Sequence, residues 1–216
     1  ANERKTMNTH LHILEPYTNL FRVWKDDYLK RQLHNLVRLF IDRILDTETS
    51  HLQLFFNDDW ESPYRIISYG HDIEASWLLH EAALVLGDKA LLDEVEPRVV
   101  DIAEAATEGS LTGAGMLYEQ HVDTASIDAD RHWWVQAEAI VGYINLYQHF
   151  DDRLSLSRAV QCWEFVKRHL IDRENGEWYW SLRADGSVNR NEDKAGFWKC
   201  PYHNGRMCME IIERFV

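Results

Sequence analysis

Apolar residues recur at helical spacing over seven stretches, 6–24, 26–46, 70–87, 88–109, 131–150, 152–172 and 200–215, and each is long enough to form a packed helix. Within 26–46, Leu29, Leu33, Leu36, Phe40 and Ile44 fall on one face, and the stretch 70–87 carries Trp77, Leu78, Leu84 and Val85. Gly87-Asp88 and Asp151-Asp152 interrupt the pattern and predict tight turns between antiparallel neighbours. Between the helix pairs lie runs of another kind: 52–56, 116–120 and 177–181 read as short strands, the last two opened by Gly115 and Gly176. These recur at intervals of roughly 60 residues, a repeat of helix, turn, helix and strand-like excursion. Such a unit buries its apolar stripe only against its neighbours, which predicts an all-α toroid or solenoid of helix pairs with loops gathered at one end. A superhelix of 34-residue helical repeats is disfavoured, because neither its period nor its lack of strands fits.

The 216-residue length accommodates one domain. No apolar run reaches the roughly 18 to 20 residues of a bilayer-spanning helix, so a membrane partner is not expected. With 23 Lys+Arg against 36 Asp+Glu the net charge is −13, and no basic cluster relieves it, so a nucleic-acid partner is not expected either. Cys162, Cys200 and Cys208 are too few and odd in number for a disulfide framework, and the polar stretch before Met7 has no apolar signal core. A cytoplasmic location is the expectation. Nine tryptophans outnumber the four prolines and the four methionines, and flat amphipathic rings in that number suit a sugar or another stacking ligand as well as a core.

Chemistry-bearing residues concentrate in four stretches: Asn8-Thr-His-Leu-His12, Gly70-His-Asp-Ile-Glu74, His132-Trp-Trp-Val-Gln-Ala-Glu138 and Trp198-Lys-Cys-Pro-Tyr-His-Asn-Gly-Arg206. His12, His71, Trp133 and His203 are separated by 59, 62 and 70 residues. Each stretch opens the first helix of its repeat, so the four should converge on one end of the toroid, where a ligand pocket is expected. His71 and Glu74 are three apart, a spacing that lets a carboxylate orient an imidazole, although a capping histidine beside a solvated glutamate fits equally. His12 alone would read as a core histidine, and only its place in the repeat lifts it. Trp133 and Trp134 cannot both face one core, which leaves one ring for a ligand.

The eleven histidines include no HExxH pattern, since His80-Glu81 lacks the second histidine, and Cys200 and Cys208 flank His203 without a CxxC. No metal and no other cofactor is expected. Gly113-Ala-Gly115 is followed by no phosphate-binding lysine, and there is no G-x-S-x-G elbow. Asp58-Asp59 fits a solvated turn better than the acid pair of a glycoside hydrolase. Paired imidazoles with ordinary pKa near 6.5 can take and return protons at neutral pH, and two of them across a carbon α to a carbonyl would invert it.

The segments MNTHLHILE at 7–15, SYGHDIEASWLL at 68–79, WWVQAEA at 133–139 and WKCPYHNGRM at 198–207 resemble, in order and approximate spacing, the cellobiose 2-epimerases of the N-acylglucosamine 2-epimerase superfamily. The resemblance implies an (α/α)6 barrel and epimerisation at C2 of the reducing-end glucose, turning cellobiose into 4-O-β-glucosyl-mannose without a cofactor. His71 and His203 match the acid/base pair that exchanges the C2 proton, and His12 matches a third histidine that helps open the ring. Asn8 matches a polar sugar contact, Glu74 a carboxylate supporting the pair, and Trp134 and Trp198 the aromatic walls. Glu138 joins this set, and Arg206 is placed to support the C-terminal histidine segment. Pro16, directly after Glu15, departs from the pattern and predicts a slight kink. Only about seven of the twelve helices of such a barrel are read here, so the expected domain is 1–216 as the C-terminal part of one barrel, with the remaining helices or a second copy as candidate partners. A superfamily relative acting on mannose or N-acylglucosamine, or a non-catalytic sugar-binding or oligomerisation piece, are the alternatives.

Overall fold

The computed structural model describes residues 4–110 and 115–215. Seven α-helices dominate: α1 (Met7–Val23), α2 (Asp27–Leu39), α3 (Tyr69–Leu86), α4 (Lys89–Ala106), α5 (Trp133–Phe150), α6 (Arg153–Phe165) and α7 (Tyr202–Phe215). α1, α3, α5 and α7 pack on one another in succession as an inner row, and α2, α4 and α6 back the first three. The result is the arc of an all-α toroid. Burial follows position in that arc. α5 is buried continuously from Trp133 to Leu146, and α3 is buried on nearly every side, whereas outer α2 buries only Leu29, Leu33 and Val37. Pro16 lies inside α1, which continues through it.

The turns inside the pairs form as their sequences predict. Gly87 (φ 66°) ends α3 in the left-handed region, and Asp88 then accepts from the amides of Ala90 and Leu91 to start α4. Asp151 (φ 52°) and Asp152 repeat the device between α5 and α6, an aspartate tolerating the conformation glycine takes in the first. α2 and α6 each run on into a five-residue π turn, Phe40–Ile44 and Val166–Leu170. Each is followed by a turn of the same design, in which the Asp46 or Asp172 carboxylate accepts from the amide two residues on and Ser50 or Gly176 takes positive φ.

Short strands join the ends of the pairs. β1 (Lys5–Thr6) pairs with β2 (Phe55–Phe56), β3 (Ile66–Ser68) with β4 (Glu119–His121), β4 with β5 (Ser126–Asp128), and β6 (Arg131–His132) with β7 (Ser181–Leu182), all antiparallel. The predicted strands at 52–56, 116–120 and 177–181 correspond to β2, β4 and β7, with bridges Leu45↔Leu52 and Ile171↔Trp178 nearby. β1, β3, β5 and β6 were not expected, because two or three residues carry no period. Their role is specific: β1, β3 and β6 lead without a gap into α1, α3 and α5, and so fix where those helices start. Of Gly113-Ala-Gly115 only Gly115 falls among the described residues. Asp58 and Asp59 sit in an exposed turn, Asp58 paired with Arg4.

α3 and α5 approach closely at Gly142, where an added Cβ would stand 2.6 Å from Ile73 Cγ1. In an exposed helix Gly→Ala stabilises by about 1 kcal/mol. Here G142A should instead lower unfolding free energy by about 1–3 kcal/mol through overpacking, read as a reduced denaturant midpoint at unchanged slope. A stabilised variant would show that the two helices do not meet this closely.

Candidate active site

The first turns of the inner helices meet at one end of the arc. On α3, Gly70 lets Trp134 of α5 pack directly against the helix, since a Cβ there would lie 2.7 Å from the indole. The Trp134 ring then sits beside two imidazoles, 4.7 Å from His71 and 5.5 Å from His203 between ring centroids. His12 of α1 lies 6.4 Å from His203 and 5.9 Å from Tyr202. Residues 59 and 132 positions apart thus share one site, as their place in the repeat predicts. The adjacent tryptophans diverge: Trp134 faces the histidines, while Trp133 packs on Trp180 at 4.6 Å beneath the Lys199 ammonium. His12 and Tyr202 line an open cavity of about 550 Å³ with Glu15, Pro16, Asn19 and Leu20, a volume within the range of small-molecule sites.

Behind the imidazoles lies a buried charge network. Arg206 of α7 donates to Glu74 of α3 and Glu138 of α5, and pairs with Glu15 of α1, each at 2.7 Å. It also donates to the Tyr202 hydroxyl at 2.6 Å, which donates in turn to Glu15. Glu138 further accepts from Trp77 Nε1 at 3.1 Å and meets His203 Nδ1 at 2.7 Å. Glu74, Glu138 and His203 bring donor atoms within 4.8 Å of one another, a spacing a metal ion can use. Both carboxylate Oε1 atoms already accept from Arg206, however, so the guanidinium supplies the positive charge at that point.

The three imidazoles are tuned apart. Burial, reinforced by the neighbouring His12 and His203, pushes His71 down to about 3. Burial and His203 also lower His12. For His203 burial acts in the same sense, but the hydrogen bond and charge of Glu138 outweigh it and its pKa is raised. Burial and the adjacent Glu138 raise Glu74, whose second oxygen has no hydrogen-bond partner among the described residues, whereas Arg206 and His203 overcome burial to keep Glu138 ionised.

Two expectations need correction. Glu74 does not orient His71: its Oε1 is drawn to Arg206, and His71 Nδ1 instead lies 2.7 Å from the Ser68 hydroxyl. Glu74, Glu138 and Arg206 are buried behind His203 rather than presented to a ligand, because the one guanidinium draws both carboxylates onto itself there. Trp198 is 81% exposed and meets Phe197 edge-on at 4.8 Å. The loop buries its neighbour Lys199, bound to Glu177 and to the carbonyls of Trp178 and Lys194, which turns Trp198 to solvent. Asn8 is exposed, one turn before His12. Glu15, Ser68, Trp77 and Tyr202 were missed as site residues although all four lie inside the motif segments. The spacing of Glu15 three residues after His12 was the available signal.

These environments can be read by NMR titration of labelled histidines. His203 should titrate above 6.5 and His71 should remain neutral down to about 3. E138Q should bring the His203 midpoint down and leave His71 little changed. A His203 midpoint unmoved by E138Q would exclude the carboxylate as its cause. Because folding raises the His203 pKa, its ion pair stabilises the fold fully below pH 6.5, and that contribution disappears as pH rises through the folded-state value.

Comparison with known proteins agrees with this arrangement. Residues 1–205 match the family model of N-acylglucosamine 2-epimerase (GlcNAc 2-epimerase). A cellobiose 2-epimerase of Bacteroides fragilis is 67% identical over 98% of this chain and 54% of its own, and one of Dictyoglomus turgidum is 41% identical over 97% and 54%. The structure of the cellobiose 2-epimerase from Bacillus thermoamylovorans superposes with a TM-score of 0.93 at 45% identity, covering 98% of this chain and 54% of that one. The chain therefore spans about half the length of these relatives. With four motif segments meeting at one end of a helical arc and the family model matched almost throughout, the chain belongs to the N-acylglucosamine 2-epimerase family.

Proposed function

We propose that this chain carries the proton-transfer machinery of a sugar 2-epimerase acting on the reducing-end glucose of a β-1,4-linked disaccharide such as cellobiose. The observation that carries the reading is the meeting of three imidazoles at one point, His71 and His203 beside Trp134 and His12 beside His203, with the pKa of His71 lowered and that of His203 raised. The names of the relatives supply the substrate class. On this reading 1–216 is the C-terminal part of one toroidal catalytic domain.

The sugar ring opens first, assisted by His12, to give an aldehyde at C1. Neutral His71 then takes the C2 proton, and the electron pair moves into a C1–C2 enediolate whose charge the cationic His203 and Arg206 region stabilises. His203, as imidazolium, returns a proton to C2 from the other face, and ring closure gives the mannose epimer. In the reverse direction the two histidines exchange roles. Trp134 provides an apolar wall for the sugar, and Asn8 a polar contact at the mouth. Trp198 is proposed as the wall for the second sugar ring, on the loop anchored by Lys199. Glu74, Glu138 and Arg206 act through His203, whose imidazolium they hold in place.

Incubation of the full-length protein that carries this chain with cellobiose in deuterium oxide should place deuterium at C2 and yield glucosyl-mannose, whereas the 216-residue chain alone should be poorly active. Absence of both overturns the reading. H71A and H203A should each lower the rate by roughly 10²–10⁴-fold, the usual contribution of a general acid or base. Because His203 must be charged to deliver a proton, activity should fall as pH rises through its raised pKa. E138Q lowers that pKa, so this alkaline limb should move to lower pH. An alkaline limb indifferent to E138Q would remove His203 from the acid role.

A further inference from the structure

The hydroxyl of Ser68 is used in an unusual way. Ser68 is the N-cap residue of α3, is 1% exposed and is held by pairing with Glu119 across β3 and β4. A serine at this position ordinarily accepts from an amide of the first helical turn. Thr6, Asp26, Asp88 and Asp152, the N-caps of α1, α2, α4 and α6, all do so. Ser68 makes no such bond, and its Oγ lies 2.7 Å from Nδ1 of His71 instead. The helix start gives up its cap to hold an imidazole.

The two proposed proton-transfer histidines therefore differ in what faces Nδ1. His203 faces the carboxylate of Glu138, an obligate acceptor that fixes its proton on Nδ1. His71 faces a hydroxyl, which can accept from Nδ1–H or donate to bare Nδ1. The second arrangement puts the proton on Nε2 and leaves no lone pair on the side away from Ser68. The first leaves Nε2 basic, and it also suits the imidazolium formed once Nε2 has taken a proton, so one hydrogen bond serves both states of the cycle. The Trp134 ring packs against the imidazole, and the charged or titratable groups that act on it are Glu138 of α5, His12 of α1 and His203 of α7; among the described residues Ser68 is the one bonded to Nδ1.

We propose that Ser68 is a positioning residue: it accepts from Nδ1–H of His71, which fixes the tautomer whose Nε2 lone pair faces the substrate side. This rests on the reading of His71 as a proton-transfer group at C2. The enediolate step is unchanged: the C2 proton goes to Nε2, and the Nδ1 proton stays on the Ser68 side throughout.

The test is the nitrogen NMR spectrum of His71 in the whole chain at pH 7, in the wild type, S68A and S68T. Wild type and S68T should show the Nδ1–H form, and S68A should shift toward Nε2–H. Because Ser68 caps no amide, S68A should melt close to wild type. In the epimerase assay S68A should lose on the order of tenfold in kcat with KM within about twofold, and S68T should recover it. An Nε2–H form in the wild type, or a tautomer unchanged in S68A, overturns the assignment even where deuterium exchange at C2 succeeds. Failure of that exchange with the expected tautomers overturns the role at C2 and leaves the Ser68–His71 pairing standing.

Discussion

One guanidinium ties the inner row together. Arg206 of α7 reaches Glu15 of α1, Glu74 of α3 and Glu138 of α5, so each inner helix contributes one charged side chain at the same level. Three carboxylates around one cation cannot be a cheap arrangement in a buried setting. Desolvation of such groups commonly cancels their attraction, and the net stability of a buried ion pair is small or negative. What the arrangement supplies is register. A helix sliding by one turn, about 5.4 Å, would take its carboxylate out of reach and leave a buried charge unpaired, so the N-terminal halves of the four helices are held in register with one another. The apolar contacts beside it, such as Gly142 against Ile73, set how near the helices come but are less particular about height.

The same network separates the histidines electrically. Glu138 touches both Arg206 and His203, and through it the charge of the network reaches one imidazole. His71 also packs against Trp134 but is bonded to a neutral hydroxyl, with no carboxylate hydrogen-bonded to its ring nitrogens among the described residues. Two chemically identical side chains near one indole are thereby given different proton affinities: burial, with His12 and His203 nearby, lowers His71, whereas the Glu138 carboxylate raises His203 against the same burial.

Much of this was legible in the sequence because it repeats. The seven helices follow from apolar spacing, and the two tight turns from Gly87-Asp88 and Asp151-Asp152, where a left-handed residue precedes a capping aspartate. The grouping of His12, His71, Trp134 and His203 follows from their common place at the head of each repeat. What could not be read was side-chain direction within a motif. Spacing alone offered Glu74 to His71, and only the packed position of Arg206, 132 residues on, decides that its carboxylate turns the other way. The strands escaped for a different reason. β1 and β6 have two residues each, and pairing partners as distant as Phe56 and Leu182 leave no local trace. The exposure of Trp198 likewise depends on a contact elsewhere, the burial of the Lys199 ammonium against Glu177.

The strands that run straight into α1, α3 and α5 divide each of those helices into two mechanical halves. The end carrying the histidine or tryptophan motif is clamped by backbone hydrogen bonds to another part of the chain. The opposite end of α1 finishes at Val23 and Trp24, both well exposed. Thermal motion should therefore grow along α1 away from the site, as it does along a beam fixed at one end, whereas α3 and α5 are also held at the far end by their turns into α4 and α6. A proton-transfer site built at the fixed ends has its dipoles already in place and spends little on rearranging them during a reaction. The free end of α1 can absorb insertions and sequence drift without the disturbance reaching the imidazoles.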